Sequence, residues 1–252
     1  MANGITLAGT TTKTLSITEP YSLKQEVLAE LLRILTTEIT SDTRVLLLTG
    51  THPEAFLADV SKLQSLAPRA ALAFSELGQK VCAALETLPC PVIALINGAA
   101  LGGGCEMTLS CDFVYATESS CFGQIEVHGG ILPGFGGTWR LRQRVGDLKT
   151  RELLFTGTIL DAKAAQEVGL VSEVVAPDQL QAKAQATAET MTANPPLAVR
   201  SLKQMILANR SLSLSDSNAL ERQAFAFLFG TTDQKEAMKA YLEKRTVSFE
   251  GR

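Results

Sequence analysis

Two short, uninterrupted apolar runs set the strongest limit on how this chain can fold: RVLLLT at residues 44–49 and VIALIN at residues 92–97. A strand with one wet face alternates apolar and polar residues, whereas a strand covered on both faces reads as a continuous apolar stretch. An α/β core is therefore expected. Residues 13–18 alternate well enough for a further strand, ended by Glu19-Pro20, and Ser22 with Gln25 forms a capping box ahead of Val27, Leu28, Leu31, Leu32 and Leu35 at helical spacing. Two helical stretches, broken at Pro68, span residues 60–88 before the second run. A glycine-rich turn, a short helix and a strand at 112–117 follow it. Helices are then expected over 136–145 and 148–155, with a short helix capped by Asp161 and ended by Gly169, and a last strand at 170–175. Beyond Pro177 only four helical segments remain, which suggests a core over residues 1–194 and a helical appendage over 195–252.

The chemistry gathers in residues 97–138, where NGAALGGGCEMTLSCDFVYA is followed by CFGQIEV and then GGILPGFGGT. Gly102, Gly103 and Gly104 let backbone N–H groups approach a ligand closely, and the helix beginning there directs its positive end to the same place. This suits an oxygen gaining negative charge. Taken singly, Glu106 reads equally as an acid favoured by the helix dipole, and Glu126 as a solvated loop charge. Together with the glycine turn they form a site able to polarise a carbonyl and manage a proton beside it.

Several other functions lack their usual markers. The net charge of −3 gives no electrostatic reason to expect nucleic acid as a partner. Cys82, Cys90, Cys105, Cys111 and Cys121 are odd in number and lack C-x-x-C spacing, which argues against a disulfide framework or a zinc knuckle and fits a reducing cytoplasm. The N-terminal segment has no secretory-signal pattern and no apolar run is long enough to span a bilayer, so a soluble, cytoplasmic protein without membrane contact is expected. The dinucleotide fingerprint, the P-loop, the G-x-S-x-G elbow and H-E-x-x-H are all absent.

ALGGGCE, then DFVYA, then a second glutamate twenty residues after the first, then GILPGFGGT together resemble the enoyl-CoA hydratase/isomerase (crotonase) superfamily. LLFTGTILDAKAAQEVGLVSEVV and AMKAYLEKRTVSF extend the similarity over nearly the whole chain. The resemblance implies an α/β spiral of ββα units rather than a doubly wound sheet, with a C-terminal helical trimerisation region and trimers often paired into hexamers. It assigns Gly103 as one N–H donor of an oxyanion hole, Glu106 and Glu126 as the catalytic acids, and Ala58 as the second donor. Two departures concern the coenzyme. AFLADV, at residues 55–60, is two residues shorter than the family's A-F-x-A-G-A-D-L loop, and Pro20 passes almost directly to YSLKQEVLAEL without the usual connection. Leu57, Ala58 and Asp59 would shape the adenine pocket, while Lys62, Lys244 and Arg245 would meet phosphates or simply be solvated charges.

The remaining candidates have plainer alternatives. His128 could touch the site or serve structure, Cys105 could merely pack, and Trp139, Phe122 and Leu101 could line an acyl pocket or the core. With both glutamates present, the expected reaction is hydration of a trans-2-enoyl thioester, carried by coenzyme A or a carrier protein, with no metal or redox cofactor required. A double-bond isomerase or decarboxylase is the rival within the superfamily, and a non-catalytic binding member is the rival outside catalysis. Phe225, Phe227, Leu228 and Phe229 give the C-terminal helices an apolar face for partner subunits, as in a homotrimer or hexamer.

Overall fold

In the computed structural model, which describes residues 4–18, 23–52, 55–56 and 65–252, the two apolar runs pair side by side within a six-stranded sheet. The strands, in chain order, are β1 (Ile5–Gly9), β2 (Thr12–Ile17), β3 (Val45–Gly50), β4 (Val92–Ile96), β5 (Ala99–Leu101), β6 (Phe113–Thr117), β7 (Cys121–Gly123), β8 (Leu160–Asp161) and β9 (Glu173–Val175). The large sheet has the order β1-β2-β3-β4-β6-β9 and is parallel except for the β1–β2 hairpin, while β5, β7 and β8 form a separate small sheet. The helices are α1 (Gln25–Thr37), α2 (Pro68–Thr87), α3 (Gly103–Leu109), α4 (Gly137–Thr156), α5 (Ala162–Glu167), α6 (Leu180–Thr192), α7 (Pro196–Ala208), α8 (Leu214–Leu228) and α9 (Thr232–Glu243).

The continuous apolar runs are explained by burial on both faces. Along β3, Leu46 and Leu48 point into one cluster with α1 and α2, while Val45 and Leu47 point into a second with Leu180, Ala184 and Ala188 of α6. The alanines let α6 approach the sheet closely. Each large apolar side chain fully removed from water contributes roughly 1.5–3 kcal/mol, which offsets the ~1–2 kcal/mol entropy of fixing its backbone.

The chain order of the two sheets produces the expected spiral. β4 of the large sheet leads to β5 of the small sheet and then to α3; β6 leads to β7 and then, after a 3-10 turn at Glu126–Gly129, to α4. The segment after β3 follows the same course, because Ala55 bridges in parallel to Ala99 of β5 before the chain reaches α2.

Most expected elements form close to their predicted bounds. Asp161 caps α5 by accepting the Ala164 N–H at 2.7 Å. The two helices expected over 136–155 run on as α4 with a break at Gly146 (φ 78, ψ 171). Ser22 of the expected capping box and most of the helical stretch before Pro68 lie outside the described residues, and α1 starts at Gln25 with no side-chain cap bond from Lys24. The strand expected over 170–175 pairs only from Glu173. Beyond residue 195, α7 is held to the core by Lys203, whose buried ammonium donates to the Leu85 and Cys90 carbonyls at 3.2 and 2.9 Å and pairs with Asp112 at 2.7 Å. In contrast, α8 buries no residue within the chain and leaves Phe225, Phe227 and Phe229 exposed.

Candidate active site

Glu106 is placed by the step from the small sheet into α3. Gly102 ends that step with its N–H bonded to Gly123 O at 2.9 Å and its carbonyl accepting the Glu106 N–H at 2.9 Å. This seats Glu106 in the first turn of α3, only 1% exposed. Its Oε1 accepts two backbone N–H groups, from Phe135 at 2.8 Å and Gly137 at 2.6 Å. Two donors two residues apart can converge on one oxygen because Gly136, between them, adopts a left-handed conformation (φ 94), which L side chains rarely adopt. A Cβ at Gly136 would also stand 2.3 Å from the Arg140 guanidinium.

Glu126 enters from the other side, at the start of the 3-10 turn that follows β7. Its Oε1 lies 3.2 Å from the position a Cβ on Gly102 would take, and its Oε2 is buried without a hydrogen-bond partner. Both carboxyls are pushed above the usual range. Burial raises Glu106 most, opposed first by the Gly137 N–H, then joined by the charge of Glu126, against further lowering by the Phe135 N–H and Arg140, to a value of about 7. Burial likewise raises Glu126.

A third polar side chain lies beside Glu106. Gln124 is 2% exposed with neither amide atom paired, and its Oε1 and the Glu106 Oε1 each lie 2.8 Å from the same point, where a Cβ on Gly137 would be. An unpaired buried amide is costly. Sequence reasoning missed Gln124 because a glutamine in a strand exit belongs to no motif; its one signal was its place two residues before Glu126.

The other candidates divide clearly. Phe122 is fully buried in the core, and Leu101 is half-buried in β5. Trp139 is 45% exposed, with the Arg210 guanidinium 5.5 Å from its ring centre. Cys105 is buried with its thiol pushed up to about 12 by desolvation, which leaves it a packing residue. His128 is exposed and its Nε2 lies 3.0 Å from Thr156 O, a tie to the end of α4. Lys244 is the exposed left-handed cap of α9, and Arg245 pairs with Glu236 and Glu243 at 2.7 and 2.6 Å; these ion pairs involve neither site glutamate. Leu57, Ala58, Asp59 and Lys62 lie outside the described residues. The entry to their loop is fixed, however: Phe56 is buried and donates its N–H to Ala99 O at 2.8 Å, beside the strand that leads into the glycine turn. Among the described residues no three His, Cys, Asp or Glu side chains are grouped to hold a metal, and no helix is long and apolar enough to cross a membrane.

The chain as a whole is similar to known proteins. Over 214 residues, 83% of this chain and 82% of the other, it is 42% identical to a short-chain-enoyl-CoA hydratase of Clostridium acetobutylicum. It is 41% identical over 207 residues to a crotonyl-CoA hydratase of Syntrophomonas wolfei, covering 81% of this chain and 80% of that one. Its structure superposes on the crystal structure of an enoyl-CoA hydratase from Bacillus anthracis with a TM-score of 0.93 at 35% identity, covering 99% of this chain and all of the other. The family model for enoyl-CoA hydratase/isomerase matches residues 14–252, from the second strand through both glutamates to the last helix, and the chain belongs to that family.

Proposed function

We propose that this protein is an enoyl-CoA hydratase, adding water across the trans-2 double bond of an enoyl-CoA to give a 3-hydroxyacyl-CoA. The observation that carries this reading is the pairing of the buried Glu106 carboxyl with the half-buried Glu126, whose Oε2 is itself buried, across one glycine turn. Glu106 is oriented through Oε1 by two N–H donors, and Glu126 presents an unpartnered Oε2. In this reading the N–H groups of Gly103 and Ala58 receive the thioester oxygen, which gains negative charge as the double bond accepts water. Each such donor contributes about 3 kcal/mol at the transition state.

The two carboxyls handle the water. One accepts a proton as the hydroxyl forms its bond to C3, and the other delivers a proton to C2, so the pair returns to its starting protonation after exchange with solvent. A carboxyl raised to about 7 suits both tasks near neutral pH. Because the two interact, they titrate as a pair, and acid and base belong to the pair rather than to either residue. The Gln124 amide offers a further donor and acceptor to the same water. The reaction adds H and OH with no net electron transfer, so it calls for no redox cofactor; acyl-CoA is the substrate.

Crotonyl-CoA given to the purified protein should lose its enoyl-thioester absorbance at a rate proportional to enzyme. Turnover of a 3-enoyl or glutaconyl thioester, with crotonyl-CoA untouched, would instead identify an isomerase or decarboxylase. A second expectation concerns assembly. The helices after Pro195 form the oligomerisation region, because α8 buries nothing within the chain and α7 exposes Leu202 and Ile206. Light scattering should give three or six times the mass of one chain, and a monomeric mass would contradict this.

A further inference from the structure

The Phe135 backbone makes two hydrogen bonds from adjacent peptide planes, and only one of them belongs to the pair of glutamates. Its N–H donates to Glu106 Oε1 at 2.8 Å, while its carbonyl accepts from Arg140 Nη1 at 2.6 Å. Arg140 Nε and Nη2 both donate to Glu86 Oε2, at 3.0 and 2.7 Å, and Glu86 Oε1 pairs with Arg210 Nη1 at 2.5 Å. Glu86 comes from α2 and Arg140 from α4. Arg210 follows the end of α7, in the helical region beyond residue 195, and its guanidinium also packs over Trp139, the neighbour of Arg140. The three charged side chains are 9%, 11% and 24% exposed in the order Glu86, Arg140, Arg210, so their geometry is held with little help from water.

We propose that Arg210, Glu86 and Arg140 form a positioning relay through which the C-terminal helical region sets the peptide plane between Phe135 and Gly136, and thereby the orientation and charge state of Glu106. None of the three touches the reacting atoms. The Phe135 carbonyl lies in the peptide plane that joins Phe135 to Gly136, between the planes that carry the Phe135 and Gly137 N–H donors, so gripping it limits how far either flanking donor can turn, and a small displacement of a reacting group lowers rate steeply. Among the described residues, the charged and titratable groups facing Glu106 are Glu126 from the 3-10 turn, Arg140 from α4 with Glu86 behind it, and the Cys82 thiol of α2 and Cys105 thiol of α3. Of these, only Arg140 is a cation. Its loss removes a positive charge that favours ionised Glu106, whereas loss of Glu86 leaves that positive charge less neutralised.

The inference rests on the hydratase reading for its rate effects but not for its titration. Glutamate side-chain carboxyls labelled with carbon-13 can be followed by NMR from pH 5 to 9, the Glu106 signal being assigned by its loss in Glu106→Gln. Arg140→Met should raise the Glu106 midpoint and Glu86→Gln should lower it, although both remove the same ion pair and both reduce stability to urea. With crotonyl-CoA, Arg140→Met should lower kcat about 10- to 100-fold with KM little changed. Arg210→Ala should give a smaller loss that Arg210→Lys largely restores. Midpoints that stay put or move in the same direction, or a wild-type kcat in the folded Arg140→Met and Arg210→Ala proteins, would reduce the cluster to a structural ion network and overturn the relay. If the wild-type protein leaves crotonyl-CoA untouched, the hydratase reading fails while the opposed titration shifts still decide the relay.

Discussion

Glu106→Gln is expected to lower kcat on crotonyl-CoA by about 10²–10⁴-fold while leaving the fold intact, because the amide oxygen still accepts the N–H groups of Phe135 and Gly137. Glu126→Gln should fall in the same range, and a variant at either position that turns over near the wild-type rate would remove that residue from the mechanism. The same substitution should change how stability depends on pH. Burial raises the Glu106 carboxyl from its ordinary 4.5 to about 7 in the folded protein. Between those values the folded state binds a proton that the unfolded state has released, so this residue's contribution is present below about pH 4.5 and lost as pH rises through 7. Urea unfolding of wild type should therefore show a decline in that window that Glu106→Gln lacks, making the variant comparatively more stable at pH 8. Parallel curves for the two proteins would show that Glu106 ionises as it would in water.

The largest stability effect is expected from Phe135→Ala, about 3–5 kcal/mol. The ring is 3% exposed, stacks obliquely on Phe74 with centroids 5.3 Å apart, and fits so closely against two helix backbones that a Cβ would come within 2.0 Å of it at Gly78 and 2.9 Å at Gly103. Truncation leaves a void between α2 and α3 that neither backbone can close, since both helices are fixed by other packing. The urea midpoint should drop with an unchanged slope, and kcat should fall as well, because Phe135 also supplies an N–H to Glu106. A loss below 1 kcal/mol would show that the loop repacks around the smaller side chain.

The parts of this fold that could be read from sequence are those whose physics is local or repeated. RVLLLT and VIALIN declared themselves because both faces of β3 and β4 are covered. Asp161 and Gly169 mark the ends of α5 through a side-chain bond and a positive φ that need nothing distant. By contrast β5, β7 and β8, the small sheet that makes the course a spiral, have only two or three residues each, too few to show a period. The family resemblance supplied that architecture where periodicity had nothing to offer. In the site, the two glutamates were legible from the glycine-rich motif. The Glu86–Arg140 and Glu86–Arg210 pairs were not, since 54 and 124 residues separate the partners and no pattern along the chain joins them. Gln124 likewise acquires meaning only when Gly137 brings Glu106 beside it.

The fit of the Phe135 ring against Gly78 and Gly103 divides the site into a part that cannot drift and a part that can. Any insertion between Gly130 and Gly137 would unseat the ring and carry both Glu106 donors with it, so this side of the site behaves as a gauge block for the Glu106 carboxyl. The other side is looser: Glu126 begins a 3-10 turn in which no residue is buried, so its carboxyl can adjust without moving the two Glu106 donors.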